Sequence, residues 1–304
     1  MKARALGLAL GYAADQLFGD PRRWHPVSGF GKLARAAEHR LYADHRPAGV
    51  VFTTLLVGSA ATLGYAADRA TRRHPTLSVA VTALATWTVL GGRSLGHEAR
   101  TINAQLRGGD LTAARRQVTH LVGRDPSQLD EKGIARATIE SVAENTSDAV
   151  VAPLWWGAVL GPAGLLGYRA ANTLDARVGH RTPRLERFGW ASARFDDLLN
   201  LAPARLTALL TVALGDDHRG ALRAWRRDAR KHPSPNAGPV EASFAGALGI
   251  RLGGTNVYHG VVEDRGTLGD GPAPHPADIG RTARLASAVG LGALATAVAV
   301  AVAI

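Results

Sequence analysis

A chain of 304 residues without a cysteine has no disulfides, no thiolate nucleophile and no cysteine-ligated metal site. Its 36 basic residues, nearly all arginine, outweigh 25 acidic ones to give a formal charge of +11, which suits phosphate-bearing ligands, nucleic acid or an anionic membrane face. No Lys/Arg block with interleaved aromatics occurs, which argues against nucleic acid, and a mean hydropathy of -0.02 points to apolar spans separated by long charged loops.

Lys2 and Arg4 precede a short apolar run at 5–18. Asp15 interrupts it and no convincing cleavage site follows, so it reads as part of the mature protein and as a weak membrane segment. Next comes FGDPRRWHPVSGFGKL, where Gly19, Pro21 and Pro26 break the helix before an amphipathic stretch near 31–41. Trp24 and His25 suit an interfacial anchor, while Asp20 and His25 can equally reach a ligand.

Uncharged runs at 47–67, 76–92, 149–168 and 285–304 match the roughly 17–25 residues that cross a hydrocarbon core as helix. A weaker candidate at 198–214 contains Arg205. The implied fold is all-α: one integral, polytopic membrane domain over 1–304, with about four to six membrane-embedded helices. Long amphipathic and polar helical loops (19–46, 93–148, 169–197 and 215–284) would carry the active site on the cytoplasmic side. If every candidate crossed, loop 169–197 would lie opposite loops 19–46, 93–148 and 215–284, dividing the polar clusters between two faces. Pro153, Pro162 and the glycines of 149–168 instead suggest a broken or re-entrant helix, and Arg205 weakens 198–214 as a lipid-facing span, so that both segments dip in and return or pack on the interface. Loop 169–197 then joins the other Arg-rich loops, as the positive-inside tendency favours.

In the first long loop, HEARTINAQLRGGDLTAARRQVTHLVGRD reads as two amphipathic helices with a Gly-Gly break. Asp125-Pro126 then marks a helix start. On that helix Glu140 and Glu144 lie one turn apart, with Asp148 a further turn on and Asn145 alongside. Carboxylates so stacked repel unless a cation or proton intervenes. Asn172 and Asp175 form a second cluster, and Asp196, Asp197 and Asn200 a third. Helix capping or simple solvation is the plainer account of each. The region 215–284 opens with a basic helix, breaks at Pro233-Ser234-Pro235-Asn236-Ala237-Gly238, and continues as a small-residue helix carrying Glu241. A Gly/Pro-rich surface loop is expected at 253–276. Neither GxGxxG nor GxxxxGK[ST] occurs, so no familiar nucleotide cradle is visible.

GDPRRWHPV, ESVAENTSDAVVAPLWW, YRAANTLDARVGH, FGWASARFDDLLNLAPARLTA and KHPSPNAGPVEASFAGALGIRLGG, in that order, resemble the CobD/CbiB family of cobalamin biosynthesis. Ala149 stands where Gly is common after ENTSD, and the tail beyond Gly254 is less distinctive. The resemblance implies an integral enzyme of the cytoplasmic membrane, an adenosylcobinamide-phosphate synthase that uses ATP and Mg²⁺. It would join an aminopropanol phosphate, or aminopropanol, to a propionate carboxyl of adenosylcobyric acid, and other cobalamin-assembly enzymes are possible partners. Family likeness supplies no residue roles; chemistry suggests them. Glu140, Glu144, Asn145, Asp148, His25 and His232 are the catalytic candidates, the histidines and glutamates as acceptors of the amine's proton. Asp20, Arg169, Asn172, Arg177, Arg194, Arg205, Asn200, Asn236 and Glu241 are candidates for substrate, the arginines through bidentate pairing with phosphate or carboxylate. Glu144, Asp148, Asp175, Asp196 and Asp197 are the pool of Mg²⁺ ligands. Two other readings stand beside this one: a prenyltransferase-like transferase, loosely echoed by NTLD and ARFDD, and a non-catalytic corrinoid-binding scaffold.

Overall fold

The structure, a computed structural model, describes residues 2–20, 25–123, 125–180, 182–258 and 261–304, with backbone only at 256–258 and 261–263. Pro21 and Trp24, assigned above to the first turn, lie outside the described residues. In chain order the first helices are α1 (Lys2–Phe18), α2 (Pro26–Leu41), α3 (Arg46–Thr71), α4 (Pro75–Val89), α5 (Gly92–Arg107), α6 (Leu111–Val118) and α7 (Glu131–Thr146). After a π-helical turn at Ser147–Val151 come α8 (Ala152–Leu160), α9 (Pro162–Val178), α10 (Trp190–Leu214) and α11 (His218–Asp228). A 3-10 turn at Ala229–Lys231, α12 (Ala237–Leu248), strands β1 (Leu252–Tyr258) and β2 (Val261–Leu268), and α13 (Pro276–Ala303) complete the chain. The all-α, polytopic character is therefore present, and the antiparallel β1–β2 hairpin replaces much of the loop expected at 253–276.

Among the described residues, four helical stretches are long and apolar enough to cross a membrane: Arg46–Thr71, Pro75–Arg107, Trp190–Leu214 and Pro276–Ala303. At 1.5 Å per residue, α3 is about 39 Å long, more than the ~30 Å hydrocarbon core requires. The run 149–168 is different. Gly161 takes φ 62°, Pro162 restarts the helix as α9, and a Cβ on Gly164 would strike the Trp156 carbonyl, so α9 folds back on α8. Arg4 Nη1 donates to the Ala158 and Val159 carbonyls at 3.1 and 3.2 Å and closes the end of α8. The stretch is a helical hairpin, as its prolines and glycines suggested. For 198–214 the dip and return is corrected, since α10 continues through Pro203 without a break. Pro126 likewise starts no helix, since the Asp130 side chain caps α7 at the Gly133 N–H (2.7 Å).

The chain forms two compact units: Met1–Gly91 with Ala152–Asn200 and Leu294–Ile304, and Gly92–Val151 with Leu201–Ala293. In the first, α1 packs along α4 because Gly7 and Gly11 leave room for Thr82 and Thr86. Its core joins Ala34, Phe52, Leu56, Leu174, Val178 and Phe188, with Phe188 ring-to-ring with Phe52 at 5.0 Å and Tyr42 at 5.3 Å. Gly49 abuts the Phe188 carbonyl while Gly64 abuts Pro162. The α2–α3 and α9–α10 connections therefore share one end of this unit, and the α8–α9 turn marks the other.

In the second unit every residue of α12 is buried. Its Ala, Gly and Ser side chains permit this, with Gly246 against the Gly220 carbonyl of α11 and Gly238 against the Ala229 carbonyl. The hairpin is tied to this framework twice. Glu140 Oε1 accepts the Gly253 N–H at 2.9 Å while Arg136 Nη1 donates to the Gly253 carbonyl at 2.6 Å. Gly253 and Gly254 take φ 79° and 84°, a left-handed entry that favours glycine. At the other strand end, Asp228 Oδ2 accepts the Gly269 N–H at 3.0 Å. Arg227 and Lys231 each bond the same carboxylate at 2.7 Å. Burial alone would raise the Asp228 pKa, but these hydrogen bonds hold it well below the usual carboxylate range.

Candidate active site

The first unit joins two of the sequence clusters. Asn172 and Asp175 sit one turn apart on α9; Asp196, Asp197 and Asn200 lie on the first turns of α10. Asn200 Nδ2 donates to Asp196 Oδ2 at 2.9 Å, and Asn200 Oδ1 accepts from the Tyr168 hydroxyl at 2.9 Å. The phenol thus fixes which way the amide points. Asn172 is a further hydrogen-bond partner of Asp196, and Asp175 and Asp197 act on it electrostatically. Asp196 and Asn200 are buried. Arg169 Nη1 reaches Asn172 Oδ1 at 3.4 Å, and the exposed Arg194 pairs with Asp197 at 3.5 Å. Three carboxylates, two amides and a phenol therefore converge, with a guanidinium at the margin.

Other first-unit candidates are engaged in ion pairs and a helix cap. Arg177 donates to Glu38 Oε2 at 2.7 Å, and Arg184 meets Glu38 Oε1 at 2.9 Å. Burial would raise Glu38, yet these two arginines hold its pKa below normal. His25 Nδ1 accepts the Val27 N–H at 3.2 Å and caps α2, leaving Nε2 facing Asp20 at 3.6 Å.

In the second unit, Glu140 and Glu144 share the α7 helix as expected, but Asp148 falls on the π-helical turn. The wider turn shifts Asp148 off the regular one-turn spacing; such turns recur at functional sites. Glu140 is buried and committed to Arg136 (3.7 Å) and the hairpin, whereas Glu144 and Asp148 are half-buried. Asn145 Nδ2 donates to the Ser141 carbonyl at 2.9 Å. Ser234 caps the start of α12 through Oγ, which accepts from the Ala237 N–H at 3.1 Å. The Ser234 N–H donates to His232 Nδ1 at 3.0 Å, so His232 repeats the His25 arrangement, with Nε2 facing buried Glu241 at 3.7 Å. Arg265 of β2 approaches the same Glu241 oxygen at 3.9 Å. Arg205 Nη1 donates to Asn236 Oδ1 at 2.9 Å, beside this turn.

Sequence reasoning passed over Tyr168, Asp228 and Arg265. Tyr168 closed an apolar run, Arg265 lay in an expected loop, and the i, i+3 pair Asp228/Lys231 was the one legible signal, hidden in a basic stretch. Among the described residues, no group of three or more acidic or imidazole side chains is placed to hold a metal. Mg²⁺ asks for less, commonly one or two carboxylates plus waters and substrate phosphates. Asp175 and Asp196, hard oxygen donors flanked by amides, fit that requirement.

A family model described as CobD/Cbib protein matches residues 8–286. The chain is 51% identical over 301 residues to the cobalamin biosynthesis protein CobD of Mycobacterium tuberculosis, covering 98% of this chain and 96% of that one. Proteins of the same name from Chromobacterium violaceum and Rhodobacter capsulatus are 48% and 43% identical, each over 92% of this chain and over 91% and 89% of their own. No solved structure matches the chain significantly.

Proposed function

The chain belongs to the CobD/CbiB family, and from that premise we propose that it is a membrane enzyme of cobalamin biosynthesis, an adenosylcobinamide-phosphate synthase. It joins (R)-1-aminopropan-2-ol O-phosphate, or the free aminoalcohol, to a propionate carboxyl of adenosylcobyric acid through a new C–N amide bond. The observation that carries this reading is the length of the match, residues 8–286, with relatives named for cobalamin biosynthesis across nearly the whole chain.

Carboxylate and amine do not condense in water, and Mg²⁺ with ATP, when bound, supplies the carboxyl activation. Asp175 and Asp196 would hold the ion, with Asn200 and Tyr168 fixing the Asp196 rotamer and Asn172 adding a second amide. Arg169, at the margin of that cluster, offers a fork to a phosphate or a corrinoid carboxylate. The amine must also lose a proton. In His25 and His232 the Nδ1 lone pair already accepts a backbone N–H, so a carboxylate is the better acceptor of that proton. Incubating purified protein with the corrinoid acid, aminoalcohol phosphate, ATP and Mg²⁺ tests the whole reading. Amide product should accumulate with ATP consumption; binding of corrinoid without turnover would leave the scaffold reading instead.

The shared end of the first unit bears on sidedness. Tyr42 and Glu38 contact Arg184, and Asp44 meets Arg187 at 3.7 Å, so loops 19–46 and 169–197 lie together. We place that end in the cytoplasm, where corrinoid and ATP are found. With no native cysteine, Thr182→Cys should react with an impermeant thiol reagent only after cells are opened. Labelling from outside intact cells would reverse the assignment.

A further inference from the structure

Helix α2 is asymmetric in a way the proposed chemistry does not use. Its inner face, with Ala34, Glu38, Phe30 and Leu41, packs on the first unit's core or bonds to its arginines. Its outer face exposes Lys32, Arg35, His39 and Arg40, and Leu33 beside them is 55% exposed. The only nearby acid on this helix, Glu38, is turned inward and held by Arg177 and Arg184, so it does not offset the outer charge.

The position of α2 gives that charge a meaning. A short connection leads from α2 into α3, and Arg46 at the first turn of α3 stacks on Trp190, the first residue of α10, at 5.1 Å. The two helices thus begin their membrane-length runs at one level. One turn further on along α3 and two along α10, an exposed apolar surface starts, with Val50 and Val51 at 44% and 57% exposure on α3 and Leu198 at 61% on α10. An arginine stacked on a partly exposed tryptophan above an apolar belt marks headgroup depth. Helix α2 packs against α3 and α9 at this level, with its basic face outward.

We propose that Lys32, Arg35 and Arg40 form a binding surface for anionic phospholipid headgroups of the surrounding membrane, with Leu33 reaching the acyl boundary. Each basic residue near an anionic surface strengthens association about fivefold, so three together are worth about a hundredfold. All three side chains are exposed, so their replacement leaves the packed face of α2 intact.

The test is a titration of detergent-solubilised protein with short-chain phosphatidylglycerol, following the thermal unfolding midpoint, beside the variant Lys32→Gln/Arg35→Gln/Arg40→Gln. Phosphatidylglycerol should raise the midpoint of the native protein, short-chain phosphatidylcholine should do so far less, and 0.5 M salt should suppress the difference. The triple variant should need about a hundredfold more phosphatidylglycerol. An identical response from the two proteins, or an equal response to both lipids, overturns the proposal. A parallel titration with inorganic phosphate separates a soluble anion from a lipid. If phosphate protects the native protein as well as the lipid does, and the variant not at all, the face is a substrate-phosphate site and the lipid assignment is wrong.

Discussion

Asp196 of the first unit and Asp228 and Glu241 of the second are all buried carboxylates, but their neighbours are of different kinds. Asp228 is surrounded by donors from its own chain: Arg227, Lys231 and the Gly269 amide. Glu241 faces His232 and Arg265. Asp196 instead meets two amides and two further carboxylates. A carboxylate matched by internal cations stabilises a fold, and removing it strands those cations. One facing another acid gains from an external cation, so its chemistry points outward to a ligand. The contrast separates framework acids from working ones more sharply than burial does.

The largest effect should come from the working acids. Asp196→Asn removes a charge from the α9–α10 cluster and should cost about a thousandfold in turnover, about 4 kcal/mol of transition-state stabilisation. Its melting midpoint should hold or rise, because one of the facing acids has gone. Glu144→Gln should show the same split between activity and stability if it takes the amine's proton. Normal turnover in either variant removes that residue from the site; a collapse in stability would move Asp196 among the framework acids.

Asp228→Asn should behave oppositely, losing roughly 3 kcal/mol of stability because Arg227 and Lys231 lose their shared anion. The pH dependence has a fixed sign. The folded pKa values of Asp228 and Glu38 are depressed, so the unfolded chain binds protons first on acidification. Their stabilisation is complete above the unfolded carboxylate value of about 4 and is lost as pH falls through the folded values. Melting midpoints in detergent should therefore drop below about pH 4, and Asp228→Asn should flatten that slope. An unchanged slope would deny Asp228 its framework role.

A smaller effect tests the orientation of the cluster. Tyr168→Phe keeps the packed ring but removes the hydroxyl that tells Asn200 which way to face. One neutral hydrogen bond is worth about 1 kcal/mol, so kcat should fall about fivefold. A structural role alone would lower the melting midpoint and leave kcat of the folded fraction intact.

The same contrast explains what was legible beforehand. Uncharged runs give α3, α4 and α13 directly, because a membrane span is written in composition. Gly161-Pro162 announces a break for the same local reason. The β1–β2 hairpin was not legible, since Gly253, Gly254 and Gly266 are poor strand formers and its stability comes from Glu140, Arg136 and Asp228, distant in sequence. The clusters on α9 and α10 could be seen singly, whereas their meeting depends on the turn at 179–189 and on Phe188 seating it in the core. Glu140 and Glu144 look alike on a helical wheel. Only the hairpin docked on Glu140 tells them apart.

An equally small change is predicted at Asn236, where the structure sharpens an ambiguous turn residue. Pro235 and the buried start of α12 hold its backbone, and its side-chain oxygen accepts from Arg205 at 2.9 Å. Asn236→Asp keeps that acceptor and converts the contact into an ion pair, so the melting midpoint should hold or rise slightly. It also turns an amide donor into a second acceptor. If the Nδ2 edge meets substrate, one donated hydrogen bond is lost and kcat/KM should fall about fivefold. Unchanged kcat/KM at unchanged stability would make Asn236 a turn residue that positions Arg205, and the guanidinium, tested next by Arg205→Lys, would then be the group that meets the ligand.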